Sequence, residues 1–230
     1  MKGIANLSCI PMRNEPSDRA EMTNQVLFGE TFDILETIEK WSKIRLHHDK
    51  YEGWIDNKQY QLIENKKAKN TKHNLLTVPY IKKNKQLYFL GSFVDFDGAE
   101  TKKNILQTAL SFLNTPYLWG GRTIAGIDCS GFTQIVFRAH HISLLRDAYQ
   151  QQTQGKKIKW MDAQTNDLAF FQNDAGKITH VGIVIKEKNG LKIIHASGKV
   201  RIDKLDETGI FKKEINAYSH QLHSIKRIQK

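Results

Sequence analysis

Pro116-Tyr117-Leu118-Trp119-Gly120-Gly121, followed by Asp128-Cys129-Ser130-Gly131-Phe132, decides how this chain folds. Just before it, Ile105, Leu106, Ala109, Leu110, Phe112 and Leu113 recur at helical spacing, which predicts a helix ending near Asn114. Pro116 cannot continue that helix. After the glycine-rich turn, Phe132, Ile135 and Val136 return to helical spacing, so Cys129 stands where a second helix begins. Unpaired N–H groups at a helix start favour an anion, so a lowered thiol pKa is expected there. By itself, a lone cysteine at such a place also reads as a small core residue.

Downstream the period changes. Leu168–Phe171, His180–Lys186 and Leu191–Ala196 read as strands, and Lys188-Asn189-Gly190 reads as a hairpin turn between the last two. His180 opens one strand and His195 ends the next, so pairing can bring both imidazoles to one end of a sheet. One histidine would take the thiol proton and return it to the leaving amine, while the other oriented the first. Alone, each also reads as a structural histidine, as do the other seven, His47, His48, His140 and His141 among them. A zinc site of Cys129, His180 and His195 is chemically possible, but the spacing follows no metal pattern.

Upstream, residues 1 to about 60 read as short strands: Gln25–Phe28, Phe32–Leu35, Trp41–Leu46 and Trp54-Ile55. That spacing predicts a small barrel, with Pro11 and Pro16 flanking an early irregular loop. Residues 61–75 are polar and lysine-rich, a linker or a barrel edge. The apolar runs Leu75–Ile81 and Gln86–Val94 either complete the barrel or form a second β unit.

Across 230 residues the hydrophobic content is 40%, enough for a core, and the net charge is +11. The basic residues are scattered through Lys66–Lys72, Lys82–Lys85, Lys102-Lys103 and Lys156–Lys159. No nucleic-acid-binding pattern accompanies them, so a solvated surface is the reading and no nucleic-acid partner is expected. Two cysteines, Cys9 and Cys129, make no disulfide framework. Neither an apolar leader nor a membrane-length run is visible, so the expectation is a cytoplasmic protein with no membrane partner.

Taken in order, the motifs resemble the NlpC-type cysteine peptidase family. They are the Pro116–Gly121 loop, Asp128–Phe132, Leu145-Arg146-Asp147, Asn166–Phe171, Thr179-His180-Val181-Gly182-Ile183 and Ile194-His195-Ala196. The N-terminal part resembles the bacterial SH3 domain that precedes such catalytic domains. The resemblance implies an α+β fold, with an SH3-like β-barrel domain over 1–97 and a papain-like catalytic domain over 98–230. It implies Cys129 as nucleophile, His180 as base and His195 as the orienting residue. It also implies substrate contacts from Asp128, Ser130 and Tyr117, with the Cys129 N–H as oxyanion donor.

Arg146 would hold the D-glutamate carboxylate and Asp147 the terminal ammonium. Glu30 and Tyr51 would close on that amine from the barrel, with Glu21 competing. Ala148 stands where relatives often carry Ser, and Asn166 where they carry Gly. The implied reaction is hydrolysis of the γ-D-Glu–diamino-acid bond in murein peptides with a free N-terminal L-Ala. Substrates would be L-Ala-γ-D-Glu-diaminopimelate or its lysine analogue, with no metal or other cofactor. Three rivals stay open: a hydrolase remodelling intact wall outside the cytoplasm, a non-catalytic wall-binding module, and an acyltransferase on the same scaffold.

Overall fold

The computed structural model describes residues 1–63, 74–96 and 103–228. The chain divides into two units: Met1–Lys102 with Trp119–Ile124, and Lys103–Leu118 with Ala125–Lys230. The expected boundary at 97/98 lies outside the described residues, as do Lys66–Lys72 and Lys102.

In the first unit, β1 (Lys2–Ala5), β2 (Cys9–Arg13), β3 (Met22–Leu27), β4 (Thr31–Thr37), β5 (Trp41–Leu46), β6 (Glu52–Asp56) and β7 (Tyr60–Leu62) form one antiparallel sheet. Its order is β3-β2-β6-β5-β4-β1-β7. Alternating residues turn Ile10, Met12, Val26, Phe32, Ile44, Leu46 and Ile55 inward, giving the core of an SH3-like barrel. Pro11 lies inside β2 rather than in a loop. β2 is paired along one side by β3 and on its other side only at Arg13, so a missing N–H is tolerated there.

The open question over Leu75–Val94 resolves to a second small β unit. β8 (Asn74–Leu75) pairs with β11 (Phe93–Val94), and β9 (Tyr80–Lys83) pairs with β10 (Gln86–Phe89). Leu76 and Val94 are its buried centre, with Tyr88 set edge-on to Phe28 at 4.8 Å.

α1 (Ile105–Leu110) is shorter than its apolar spacing suggests. Asn104 and Gln107 cap its start reciprocally, and turns then carry the chain to Asn114, which has φ 68°. The short strand β12 (Arg122–Thr123) belongs to the first unit; the second resumes with β13 (Gly126–Ile127), α2 (Cys129–Arg138), α3 (Ala148–Gln151) and β14 (Lys156–Ile158).

The rest of the second unit is β15 (Leu168–Gln172), β16 (Ile178–Glu187), β17 (Gly190–Ser197), β18 (Lys199–Leu205), β19 (Gly209–Lys212) and β20 (Ala217–Arg227). These six pair in sequence, and β20 closes the ring by pairing both β19 and β15. Ala169, Phe171, Val184, Ile193, Leu205, Ile210 and Ile225 fill the interior. Phe170, Val181, Ile183 and Ile194, of opposite parity, are buried on the outer face, where α2 packs on β16 and β17. Asn166 holds φ 77°, so it supplies the left-handed turn that glycine would otherwise provide. Among the described residues, no helix is long and apolar enough to cross a membrane.

Candidate active site

Asp128 caps α2, its Oδ1 accepting the Gly131 N–H at 2.6 Å, and that cap places Cys129 at the first helical position. The cap is itself anchored. Buried Arg146 donates from Nη2 to Asp128 Oδ2 at 2.5 Å, and from Nη1 to Asp128 Oδ1 and to Ser130 Oγ at 3.1 and 3.0 Å. Arg146, expected at a substrate carboxylate, is thus an internal strut beneath the Asp128-Cys129 turn. Asp147 is half-buried at the start of α3, its N–H donating to Gln150 Oε1.

The histidines follow from strand register. Ile183 pairs with Ile194, so Gly182 faces His195, and His180 lies one diagonal step along the same face. His180 Nε2 and His195 Nδ1 are 2.7 Å apart, both rings buried. The β17–β18 register opposes Ile193 to Asp203, one further diagonal step, and His195 Nε2 lies 2.9 Å from Asp203 Oδ2. Cys129 Sγ meets the backbone on both sides of His180: the Thr179 carbonyl at 4.0 Å and the Val181 N–H. Tyr117, Thr179, His180, Ala196, Ser197, Gly198 and His220 line an adjoining pocket of about 260 Å³.

Residues 114–219 match the model of the NlpC/P60 family, and residues 12–59 match that of the bacterial dipeptidyl-peptidase Sh3 domain. Over residues 114–219, a little under half of the chain, the protein is similar to the NlpC/P60 family. It is 42% identical over 122 residues to the gamma-D-glutamyl-L-lysine dipeptidyl-peptidase of Bacillus subtilis (strain 168), covering 51% of this chain and 40% of that one. It is 33% identical over 118 residues to the dipeptidyl-peptidase 6 of Lysinibacillus sphaericus, covering 49% and 40%. The chain therefore spans about two fifths of the length of these curated relatives. A crystal structure of an NlpC/P60 family protein from Bacillus cereus ATCC 10987 shares the fold at TM-score 0.78 and 19% identity, covering 99% of each chain.

Electrostatics in this site run against the sequence expectation of a lowered thiol. Burial pushes the Cys129 thiol up to about 12, and the Asp128 carboxylate acts in the same direction. The helix start cannot offset this, because nearly all water is gone from the sulfur. Burial and the neighbouring His195, His220 and Lys212 hold His180 well below the ordinary imidazole range. His195 is lowered by burial despite Asp203. At rest, therefore, both the Cys129 thiol and the His180 imidazole are neutral. Burial and nearby Cys129 and Asp128 raise the Tyr117 phenol, which stays a donor.

Sequence reasoning missed two residues, Asp203 and His220. His220 stacks on His180 with centroids 4.1 Å apart, and burial lowers it to about 4. Arg122, which opens β12, is fully buried. Its two terminal nitrogens each donate to Glu30, both at 3.0 Å. Glu30, expected to face a substrate amine, spends its charge on that arginine. Tyr51 packs against the first unit's barrel core, and its N–H donates to Asp49. Glu21 Oε1 accepts the Trp119 indole N–H.

Gly182 is where the register meets the site. A Cβ there would lie 2.7 Å from Ile193 and 2.8 Å from the His195 Cβ. Gly182→Ala is expected to displace His195 and lower kcat by about 100-fold, the cost of roughly 1 Å of misplacement at reacting groups. Turnover measured beside the thermal midpoint checks this, and wild-type kcat would remove the argument.

Proposed function

We propose that the protein is a cysteine peptidase that cleaves the γ-D-Glu–L-Lys bond of short murein peptides, releasing L-Ala-D-Glu. The observation that carries the reading is the 2.7 Å His180–His195 contact, set beside a cysteine at a capped helix start. The names of the Bacillus subtilis and Lysinibacillus sphaericus relatives, a gamma-D-glutamyl-L-lysine dipeptidyl-peptidase and a dipeptidyl-peptidase 6, support this reading.

His180 takes the Cys129 proton as sulfur attacks the γ-carbonyl of D-glutamate. The concerted transfer avoids a free thiolate in a buried site that disfavours one. Negative charge on the carbonyl oxygen meets the Cys129 N–H, which has no helical partner, and the Tyr117 hydroxyl. His180 then protonates the leaving amine, giving a thioester and free lysine. A water deprotonated by His180 hydrolyses the thioester, restoring the thiol and releasing the dipeptide. Asp147, partly open at the start of α3, is the group we assign to the ammonium of L-Ala. The reaction fits recycling of wall peptides in the cytoplasm, where the two free cysteines would stay reduced.

Mass spectrometry of the protein incubated with L-Ala-γ-D-Glu-L-Lys, its diaminopimelate analogue and the N-acetylated peptide tests this. Release of L-Ala-D-Glu from the free peptides, with the acetylated one cut at least about tenfold more slowly by loss of one charged contact, is the expected result. Equal rates on blocked and free peptides would remove the dipeptidyl-peptidase assignment. No cleavage of any would remove the substrate class.

A further inference from the structure

We propose that Asp203 is a positioning residue that sets the direction of every proton in the histidine chain, making His180 Nδ1 the basic atom. The inference rests on the Cys129–His180 reading above, and it assigns a role to a residue outside that set.

The argument is one of donors and acceptors. A carboxylate only accepts hydrogen bonds, and a neutral imidazole carries a single N–H. Asp203 Oδ2 lies 2.9 Å from His195 Nε2, so His195 carries its hydrogen on Nε2. Its Nδ1 is then a lone pair and accepts from His180 Nε2 at 2.7 Å. His180 has thereby placed its only hydrogen, and Nδ1 remains as the lone pair. Reverse the first bond and the whole chain reverses, leaving His180 with Nδ1–H, unable to take a proton there.

The far side of Asp203 is fixed as well. Arg201 Nη2 donates to Asp203 Oδ1 at 2.7 Å and to Glu214 Oε1 at 2.5 Å. Burial raises the Asp203 carboxyl, but the His195 and Arg201 hydrogen bonds outweigh this and hold it below the ordinary carboxylate range. Asp203 is 8% exposed, so its charge is screened little and acts on the imidazolium that His180 becomes during the reaction. Strand register alone delivers this line, since Asp203, His195 and His180 occupy successive diagonal positions on one face of β18, β17 and β16.

Asp203→Asn is the discriminating variant because Arg201 dictates how it must sit. A guanidinium only donates, so the amide oxygen must take the Oδ1 place, and the NH2 group then faces His195 Nε2. The amide donates where the carboxylate accepted, and the chain runs backwards. The expected result is a fall in kcat of about 100-fold or more, with KM within about twofold, as for a triad whose tautomer is inverted. Adding Arg201→Leu frees the amide to rotate, and part of the rate returns.

Nitrogen-15 NMR of the imidazoles in protein carrying Cys129→Ala reads the tautomers without any substrate. Wild-type Asp203 should show hydrogen on Nε2 of both His180 and His195, and Asp203→Asn should move both to Nδ1. Hydrogen on His180 Nδ1 in the wild-type background, or unchanged tautomers in Asp203→Asn, overturns the proposal whatever the substrate is. A tautomer switch in a protein that cuts no murein peptide supports the relay and removes only the substrate assignment.

Discussion

Cys129→Ala is expected to release no measurable L-Ala-D-Glu, a loss on the order of 10⁴–10⁶-fold, while the protein stays folded. The substitution removes one sulfur from a buried position at the head of α2, whose cap comes from Asp128 and not from the cysteine. A helix held by that cap and by the packing of Phe132, Ile135 and Val136 does not depend on the thiol. Because the thiol sits at about 12, alkylation of the wild-type protein by iodoacetamide should keep accelerating as pH rises past 9. A preformed thiolate would instead give a plateau near neutrality. His180, depressed well below 6.5, stays neutral at neutral pH, so the acid limb of kcat should fall well below pH 6.5. Dipeptide release, far-ultraviolet circular dichroism and the alkylation profile are the measurements. Substantial turnover by Cys129→Ala would end the cysteine mechanism.

Most of the second unit is legible in the chain because its signals are local. Pro116 stops a helix, Asp128 caps the next, and Lys188-Asn189-Gly190 turns a hairpin, each acting within a few residues. Parity along that hairpin then brings His180 and His195 to one face without further information. Asp203 is hidden for a physical reason. In Val200-Arg201-Ile202-Asp203-Lys204-Leu205, Val200 and Ile202 mark the apolar parity, which assigns Asp203 to solvent. In the fold Ile202 is 37% exposed and Asp203 is 8% exposed, because the inside of the closed sheet carries the polar line His180–His195–Asp203. Partners from neighbouring strands make that burial tolerable, and alternation within a single strand cannot express them. His220 lies in Tyr218–His223, where Leu222 is the single aliphatic residue and no extended apolar alternation marks a strand.

The same limit explains Arg146 and Glu30. Charged residues are rarely buried, so the sequence alone gives no reason to place either inside, and only the resemblance turns both toward a substrate. Their partners, Asp128 and Arg122, are 18 and 92 residues away.

Arg146→Leu is therefore expected to act on stability before it acts on substrate. Removing the guanidinium leaves the Asp128 carboxylate buried beside Ser130 without its counter-charge, and breaking such a pair costs about 3–5 kcal/mol. For a domain of this size the thermal midpoint should fall by roughly 10 °C. Removing a contact to the D-glutamate carboxylate alone would instead raise KM and leave unfolding unchanged. Adding Asp128→Asn to Arg146→Leu separates the two. Asn removes the stranded charge and still accepts the Gly131 N–H as a helix cap, so the double variant should regain much of the lost stability. Chemical denaturation of the wild-type, single and double variants measures this. A double variant no more stable than Arg146→Leu would show that the guanidinium supports the Asp128-Cys129 turn through its packing and its bond to Ser130, and not by neutralising Asp128.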